Sequence, residues 1–196
     1  MSQTTLHASG FGGRIVATLF DMLVLFPLAL LLGKLIQLPR PIAMVGAVVY
    51  GLMFPFYNIV LLGLFGQTAG KKLAGLRVLL LNGQSIRWRQ ALLRHSVDLM
   101  FSLVLISSWI TVLSHSRSLQ GIKFYTLLSP SSAFFIWAAR FWTAWIWSEL
   151  IVMFLNRKRR ALHDFLAGTW VVSERSERRA DYRDRGTAQA LGADSP

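Results

Sequence analysis

Hydrophobic residues along this chain gather into long runs instead of alternating with polar residues. The longest run, "IAMVGAVVYGLMFPFYNIVLLGLFG" at residues 42–66, carries no charge, and about 20 such residues are enough for a helix to cross a bilayer. Three further runs have similar lengths, and the last of them is rich in tryptophan, which is typical of membrane interfaces. The pattern predicts an all-α membrane protein with four transmembrane helices, at about residues 15–33, 42–66, 97–114 and 133–155.

Composition strengthens this prediction. The 196 residues are 54% hydrophobic and 15% charged, whereas soluble domains average about 45–50% and about 25%. The chain contains no cysteine, so disulfides, thiolate metal sites and cysteine nucleophiles are excluded. Its charge of +12 predicts attraction to anionic lipid headgroups and does not require a nucleic-acid partner.

The distribution of basic residues predicts the orientation. If the four helices alternate in direction, sixteen of the 21 lysines and arginines fall on one side of the membrane and four on the other. Loops with an excess of positive charge stay in the cytoplasm. We therefore expect both termini, and the loop at residues 67–96, to be cytoplasmic.

The segments outside the helices predict a small cytoplasmic cap, built from residues 67–96 and 157–173. Asn82-Gly83 between apolar segments is a hairpin signal, so we expect a strand, a turn and then an interfacial helix. Alternatively, Ser85 caps a helix that continues into the third span. The segments "RVLLL" and "TWVV" could pair as strands. Residues 1–10 form a polar lead-in, and residues 173–196 are expected to be a disordered tail.

The stretch "GQTAGKKLAGLRV", residues 66–78, resembles a phosphate-binding loop at first sight. Such a loop needs four residues between its glycines, and Ser or Thr after the lysine. Here only three residues separate Gly66 from Gly70, and Lys72 follows Lys71. We instead expect the glycines to end the second span in a tight turn, with Lys71, Lys72 and Arg77 marking the cytoplasmic face and meeting lipid phosphates.

Four charged residues lie within or beside the first and third spans. Arg14 and Asp21 are seven residues apart, so they share one face of the first helix about 10 Å apart. Asp21 lies too deep to reach water, and it needs a partner from another helix. Arg94 is four residues from Asp98, which permits a weak intrahelical pair. A pair between Arg94 and Asp21 across helices is the more interesting alternative.

The fourth span contains Arg140 and Glu149. Their separation of nine residues puts them on opposite faces of a helix, so they should not pair with each other. Arg140 is expected to lie over Trp137 or Trp145, whereas Glu149 has no evident partner. For each intramembrane acid, structural pairing and proton or cation handling both stay open.

No arrangement in the sequence predicts an enzyme. His163 and Asp164 are adjacent, but catalytic dyads are recognised by geometry, and no nucleophile accompanies them. The four histidines are scattered, so we expect no metal site. We also expect no cofactor.

Three segments together carry a family resemblance: "GFGGRIVATLFD", "GQTAGKKLAGLRVLLLNGQSIRWRQALLRHSVD" and "RALHDFLAGTWVV". They resemble the RDD family of bacterial integral membrane proteins, named for an arginine and two aspartates. The resemblance covers about residues 11–172, which we take as the membrane domain. The matching positions are Arg14, Asp21, Gly66, Thr68, Gly70, Lys71, Arg94, His163, Asp164, Ala167, Gly168 and Thr169.

The resemblance implies roles for some of these residues. The family's arginine corresponds to Arg14, its first aspartate to Asp21, and its second to Asp164 or Asp98. We expect Arg14, Asp21, Arg94 and Asp164 to converge near the inner face of the membrane.

The resemblance also implies a location in the bacterial inner membrane, but it assigns no activity. We expect a structural or complex-associated component, with a second copy or another membrane protein as partner. The alternative is an ion transporter, such as a sodium/proton antiporter, that moves protons or Na⁺ through intramembrane acids.

Overall fold

The structure is a computed structural model and describes residues 8–35, 37–115, 133–156 and 158–174. The described elements, in chain order, are α1 (Phe11–Leu35), α2 (Arg40–Phe65), α3 (Ala69–Leu73), β1 (Leu76–Leu80), α4 (Trp88–Arg94), α5 (Ser96–His115), α6 (Ala133–Leu155), α7 (Leu162–Ala167) and β2 (Thr169–Ser173). Apart from residues 173 and 174, the predicted disordered tail lies outside the described residues.

Among the described residues, three helices are long and apolar enough to cross a membrane, namely α1, α2 and α5. They correspond to the first three predicted spans. The fourth predicted span is also a continuous helix, α6. Its passage through the membrane stays a prediction.

Proline and glycine set the ends of α2. Pro41 occupies the first turn, where its missing N–H removes no helical hydrogen bond. At the other end Gly66 adopts a left-handed conformation, with φ of 70°, and its N–H donates to the carbonyl of Leu62. The glycine thus ends the helix in a tight turn, as the sequence predicts.

Small residues on α2 let α5 approach closely. Ala43 and Ala47 are fully buried against Trp109 and Leu113. A Cβ atom on Gly51 would lie 2.4 Å from Ile106 Cγ1, which leaves no room for a side chain. Small residues at helix contacts are a usual packing device in membranes.

Large apolar side chains cover the outside of the long helices. Leu23 on α1, Phe56 on α2 and Phe141 on α6 are each about two-thirds exposed. A soluble protein rarely leaves a continuous apolar surface of this kind in water. Lipid is the environment that suits it.

The remaining elements, α3, β1, α4, α7 and β2, form the cap. The strands β1 and β2 pair antiparallel, with Val78 opposite Val171, so the predicted pairing of "RVLLL" with "TWVV" is confirmed. After β1 the chain reverses through Asn82-Gly83 and makes one further bridge, between Leu79 and Ser85. The predicted turn is present, while the two-stranded sheet joins segments far apart in sequence.

The cap is packed against the bundle through an apolar core. Val78 and Val171 of the sheet meet Leu62 of α2, Ala17 of α1 and Ala91 of α4 in one buried cluster. The helix α4 ends at Arg94, and α5 begins at Ser96. The alternative of one helix continuing from Ser85 into the third span is therefore wrong.

Candidate functional site

The carboxylate of Asp164 is the centre of the candidate site. It is fully buried, near the start of α7. Arg14 of α1 donates from Nη1 to Oδ2 over 2.8 Å, and Arg94 of α4 donates from Nη1 to Oδ1. The backbone N–H of Ala161 also donates to Oδ2, over 3.0 Å. One acid therefore joins three segments that are distant in the sequence.

Arginine side chains extend this network into the chain that follows α7. Arg94 Nη1 also donates to Thr169 Oγ1 over 2.9 Å. Arg160 donates to two carbonyl oxygens, that of Asp164 over 3.0 Å and that of Thr169 over 2.9 Å. Sequence reasoning missed Arg160, because it stands within a basic run that reads as a solvated surface.

These contacts decide the charge of Asp164. Burial alone would raise the pKa of its carboxyl, but Arg94, His163 and Arg14 outweigh burial and lower that pKa below its usual value. Asp164 is therefore an anion at neutral pH. A carboxylate fixed in this way is suited to holding positive groups and does not exchange protons readily.

Asp21 lies in a second, neutral set of donors. Tyr57 Oη donates to Oδ1 over 2.7 Å, Thr68 Oγ1 to Oδ2 over 2.6 Å, and the N–H of Gly70 to Oδ1 over 2.7 Å. The predicted pair between Asp21 and Arg94 is wrong, because Asp164 takes the guanidinium. Tyr57 was not anticipated, since a tyrosine in an apolar run is usually a packing residue.

Gly70 is required for this second set of contacts. A Cβ atom there would lie 2.0 Å from the backbone oxygen of Ala17 and 2.8 Å from the backbone N of Asp21. The turn can therefore approach α1 only because residue 70 has no side chain.

Thr68 contacts Asp21, and Lys71 lies close enough to both acids for its charge to interact with theirs. Thr68 caps α3 by accepting from the N–H of Lys71 over 3.3 Å, and Lys71 Nζ lies 3.4 Å from Thr68 Oγ1. Burial and Arg94 lower the pKa of Lys71 to about 8, against the opposing effect of Asp21 and Asp164. Lys71 is half-buried beside these charges, and its contact with lipid phosphate stays a prediction. Lys72 is exposed, and Arg77 is half-buried in β1.

Asp98 takes a different partner from the one predicted. Its Oδ2 lies 2.7 Å from His95 Nδ1, whereas Arg94 points to Asp164. Burial lowers the pKa of His95 to about 4, although Asp98 opposes the shift. Of the two candidates for the second family aspartate, Asp164 contacts Arg14 and Asp98 contacts His95, and the assignment to Asp164 or Asp98 stays a prediction.

Arg140 and Glu149, the two charged residues of α6, have different partners and do not pair with each other, as the sequence predicts. Arg140 lies over the ring of Trp137, 5.2 Å from its centroid. Glu149 Oε1 is in hydrogen-bond contact with His163 Nδ1 of α7. This contact ties α6 to the cap and supplies the partner that the sequence does not reveal.

Glu149 and His163 also line a cavity of about 260 Å³ between α1, α6 and α7. The rest of its wall includes Arg14 and apolar residues of α1 and α6. It lies directly beside the Asp164 network, because Arg14 belongs to both.

The fold and this site define a helical membrane protein in which buried charges fasten a small cap to the membrane helices. The chain belongs to the RDD family, whose model matches residues 8–168. That range contains every charged residue of the site, and the resemblance inferred from the sequence is confirmed. No curated protein and no solved structure matches the chain significantly.

Proposed function

We propose that this protein is a structural or complex-associated component of the bacterial inner membrane, in which the charged residues hold the cap against the bundle. The observation that carries the proposal is the position of Asp164 between Arg14 and Arg94. Both acids of the site have their oxygens occupied by donors within the protein. That arrangement fixes a shape and leaves these carboxylates little freedom to bind and release an ion.

The proposal includes four crossings with both termini in the cytoplasm. The course of the chain supports an even number of crossings. The helix α5 leaves the cap at Ser96, and α6 returns to it, since Glu149 contacts His163 and Phe154 packs against Phe11 with ring centroids 5.1 Å apart. Sixteen of the 21 basic residues then fall on the cap side, which favours the cytoplasm for that side.

The replacement Asp21→Asn tests this proposal. An amide keeps the size of the side chain but gives up the charge that strengthens three hydrogen bonds. We expect a lower melting temperature in detergent, with ion flux in liposomes the same as for the unchanged protein. A variant that melts normally but loses a flux present in the unchanged protein would contradict the structural role.

Glu149 favours a second candidate function, ion transport with protons or Na⁺. Its side chain and that of His163 are each between a fifth and a quarter exposed, whereas Asp164 is fully buried. A carboxylate beside an imidazole in a cavity wall can exchange a proton with the cavity. A bundle this small would need to assemble as an oligomer to form a pathway.

A pH-jump and Na⁺-flux assay on purified protein in liposomes tests this second candidate. Transport through Glu149 predicts a flux that Glu149→Gln abolishes while the protein stays folded. The matched control is Arg140→Gln, which also removes a charge from α6. Arg140 suits this purpose because it lies over Trp137 and not beside His163. Absence of flux from the unchanged protein would eliminate the transport reading.

A further inference from the structure

The cavity between α1, α6 and α7 contains polar groups that the network around Asp164 does not use. Arg14 donates to Asp164 through Nη1 only. Its Nε and Nη2 atoms are buried and have no hydrogen-bond partner among the described residues. A buried donor without an acceptor is costly, and for a charged group the penalty is larger. Arg14 also lines the cavity, so its positive charge lies at the cavity wall.

Glu149 gives the same cavity a negative group. One carboxylate oxygen, Oε1, contacts His163, and the side chain is about a fifth exposed. Glu149 is close enough to Arg14 for their charges to interact. The cavity therefore offers an anion and a cation at neighbouring points of its wall. A ligand with a single charge satisfies one of them and is repelled by the other.

The rest of the wall is apolar apart from Thr18, and it follows the membrane helices. On α1 it uses Phe11, Ile15, Leu19 and Met22, which form one stripe of the helix. From Phe11 to Met22 the stripe is about 16 Å long, at 1.5 Å per residue. Its far end lies away from the cap, among side chains that face lipid, because Leu19 and Met22 are both more than half exposed.

We propose that this cavity binds one phospholipid with a primary-amine headgroup, from the leaflet on the cap side. The lipid phosphate lies beside the positive charge of Arg14, and the ammonium donates to Glu149. One acyl chain follows the apolar stripe of α1. Phosphatidylethanolamine has this chemistry. Phosphatidylglycerol lacks the ammonium, and phosphatidylcholine has a quaternary nitrogen without N–H donors.

Native mass spectrometry of the full chain can test the binding, with phosphatidylethanolamine, phosphatidylglycerol and phosphatidylcholine of identical acyl chains offered in equal amounts. We expect the ethanolamine lipid to be retained about tenfold more than the choline lipid, as one hydrogen bond to a charged group implies. Glu149→Gln should remove that preference, and Arg140→Gln should keep it. Equal retention of the three lipids, or a preference that survives Glu149→Gln, would overturn the proposal.

Two further experiments distinguish a bound lipid from a small soluble ligand. Met22→Trp narrows the apolar end of the cavity at an exposed position, and it should lower the retention of the ethanolamine lipid. Soluble O-phosphoethanolamine should compete poorly, because it lacks acyl chains. If it displaces the lipid at equal concentration, the ligand is a small soluble zwitterion and the lipid assignment fails. None of these readouts depends on the structural role of Asp164 or on ion flux.

Discussion

Asp164 and Asp21 are both buried acids, but the protein neutralises them in different ways. Asp164 receives two guanidinium groups, whereas Asp21 receives a phenol, a threonine hydroxyl and a backbone N–H. The first arrangement depends on formal charge, and the second on the position of a short turn. Replacements at the two sites should therefore fail for different reasons.

Replacing Asp164 with Asn should be the most damaging conservative change at this site. It leaves Arg14 and Arg94 buried without a counter-charge, and breaking a buried pair in this way costs about 3–5 kcal/mol. Thermal and denaturant unfolding in detergent measure the loss. Asp98→Asn is the matched control. Asp98 is partly exposed, and among the described residues its ion-pair partner is His95. Equal effects of the two changes would contradict the central role of Asp164.

The lowered pKa of His95 predicts how the stability of the folded protein depends on pH. Because folding lowers its pKa from about 6.5 to about 4, the unfolded chain takes up a proton at pH values where the folded protein does not. Stability should therefore fall as the pH drops from about 6.5 towards 4 and level off below that, with a total loss of about 3 kcal/mol. Melting curves across this range measure the slope.

The control for this pH effect is another histidine. His95→Gln should flatten the dependence, whereas His115→Gln, at an exposed helix end, should leave it unchanged. A slope that persists in His95→Gln would assign the pH effect to another group.

At the scale of elements, the short turn of residues 66–70 determines how closely the cap meets α1. It combines the left-handed Gly66 with Thr68, which caps α3, and with Gly70, whose missing side chain admits the backbone of α1. The motif that resembles a phosphate loop is therefore a docking device for Asp21.

The exchange Gly70→Ala tests this docking. Its Cβ would meet the Ala17 oxygen at 2.0 Å, so the turn must move away and lose its contacts with Asp21. We expect a destabilisation of about 1–3 kcal/mol, the usual range for overpacking. Gly12→Ala introduces the same methyl group in open space and should be neutral or slightly stabilising. The difference between the two melting temperatures is the decisive quantity.

Much of this architecture is predictable from the sequence, and the remainder depends on contacts between distant segments. The apolar runs locate α1, α2 and α5, and Asn82-Gly83 locates the turn after β1, because both signals are local. The partner of Arg94 is not local. Asp21 and Asp164 are both plausible from spacing, and only the packing of α4 against α7 decides between them. The contact between Glu149 and His163 is not local either, because it depends on the packing of α6 against α7.

At the scale of the whole molecule, the cap combines the middle and the end of the chain on one side of the bundle. The absence of cysteine from the sequence makes this arrangement easy to test, since any single introduced cysteine is unique. Lys72 is exposed on the cap, and Lys34 lies near the opposite end of α1.

Labelling these two positions determines the orientation. A membrane-impermeant maleimide should label Lys34→Cys in intact spheroplasts and Lys72→Cys only after the membrane is opened. The reverse pattern would place the cap outside the cytoplasm. Labelling of Lys158→Cys should follow that of Lys72→Cys if α6 crosses the membrane, and should be opposite to it if α6 does not.

The position of Asp164 also constrains the order of events during synthesis. Its two arginine partners lie 150 and 70 residues earlier in the chain, so the ribosome completes both before the acid emerges. Until then Arg14 and Arg94 have no counter-charge at this site, and the cap stays open. A nascent chain arrested before residue 160 should therefore be protease-sensitive in the loop at residues 67–96, and release of the last segment should close it. The segment of residues 160–169 therefore completes the fold, because it supplies the contacts that close the cap.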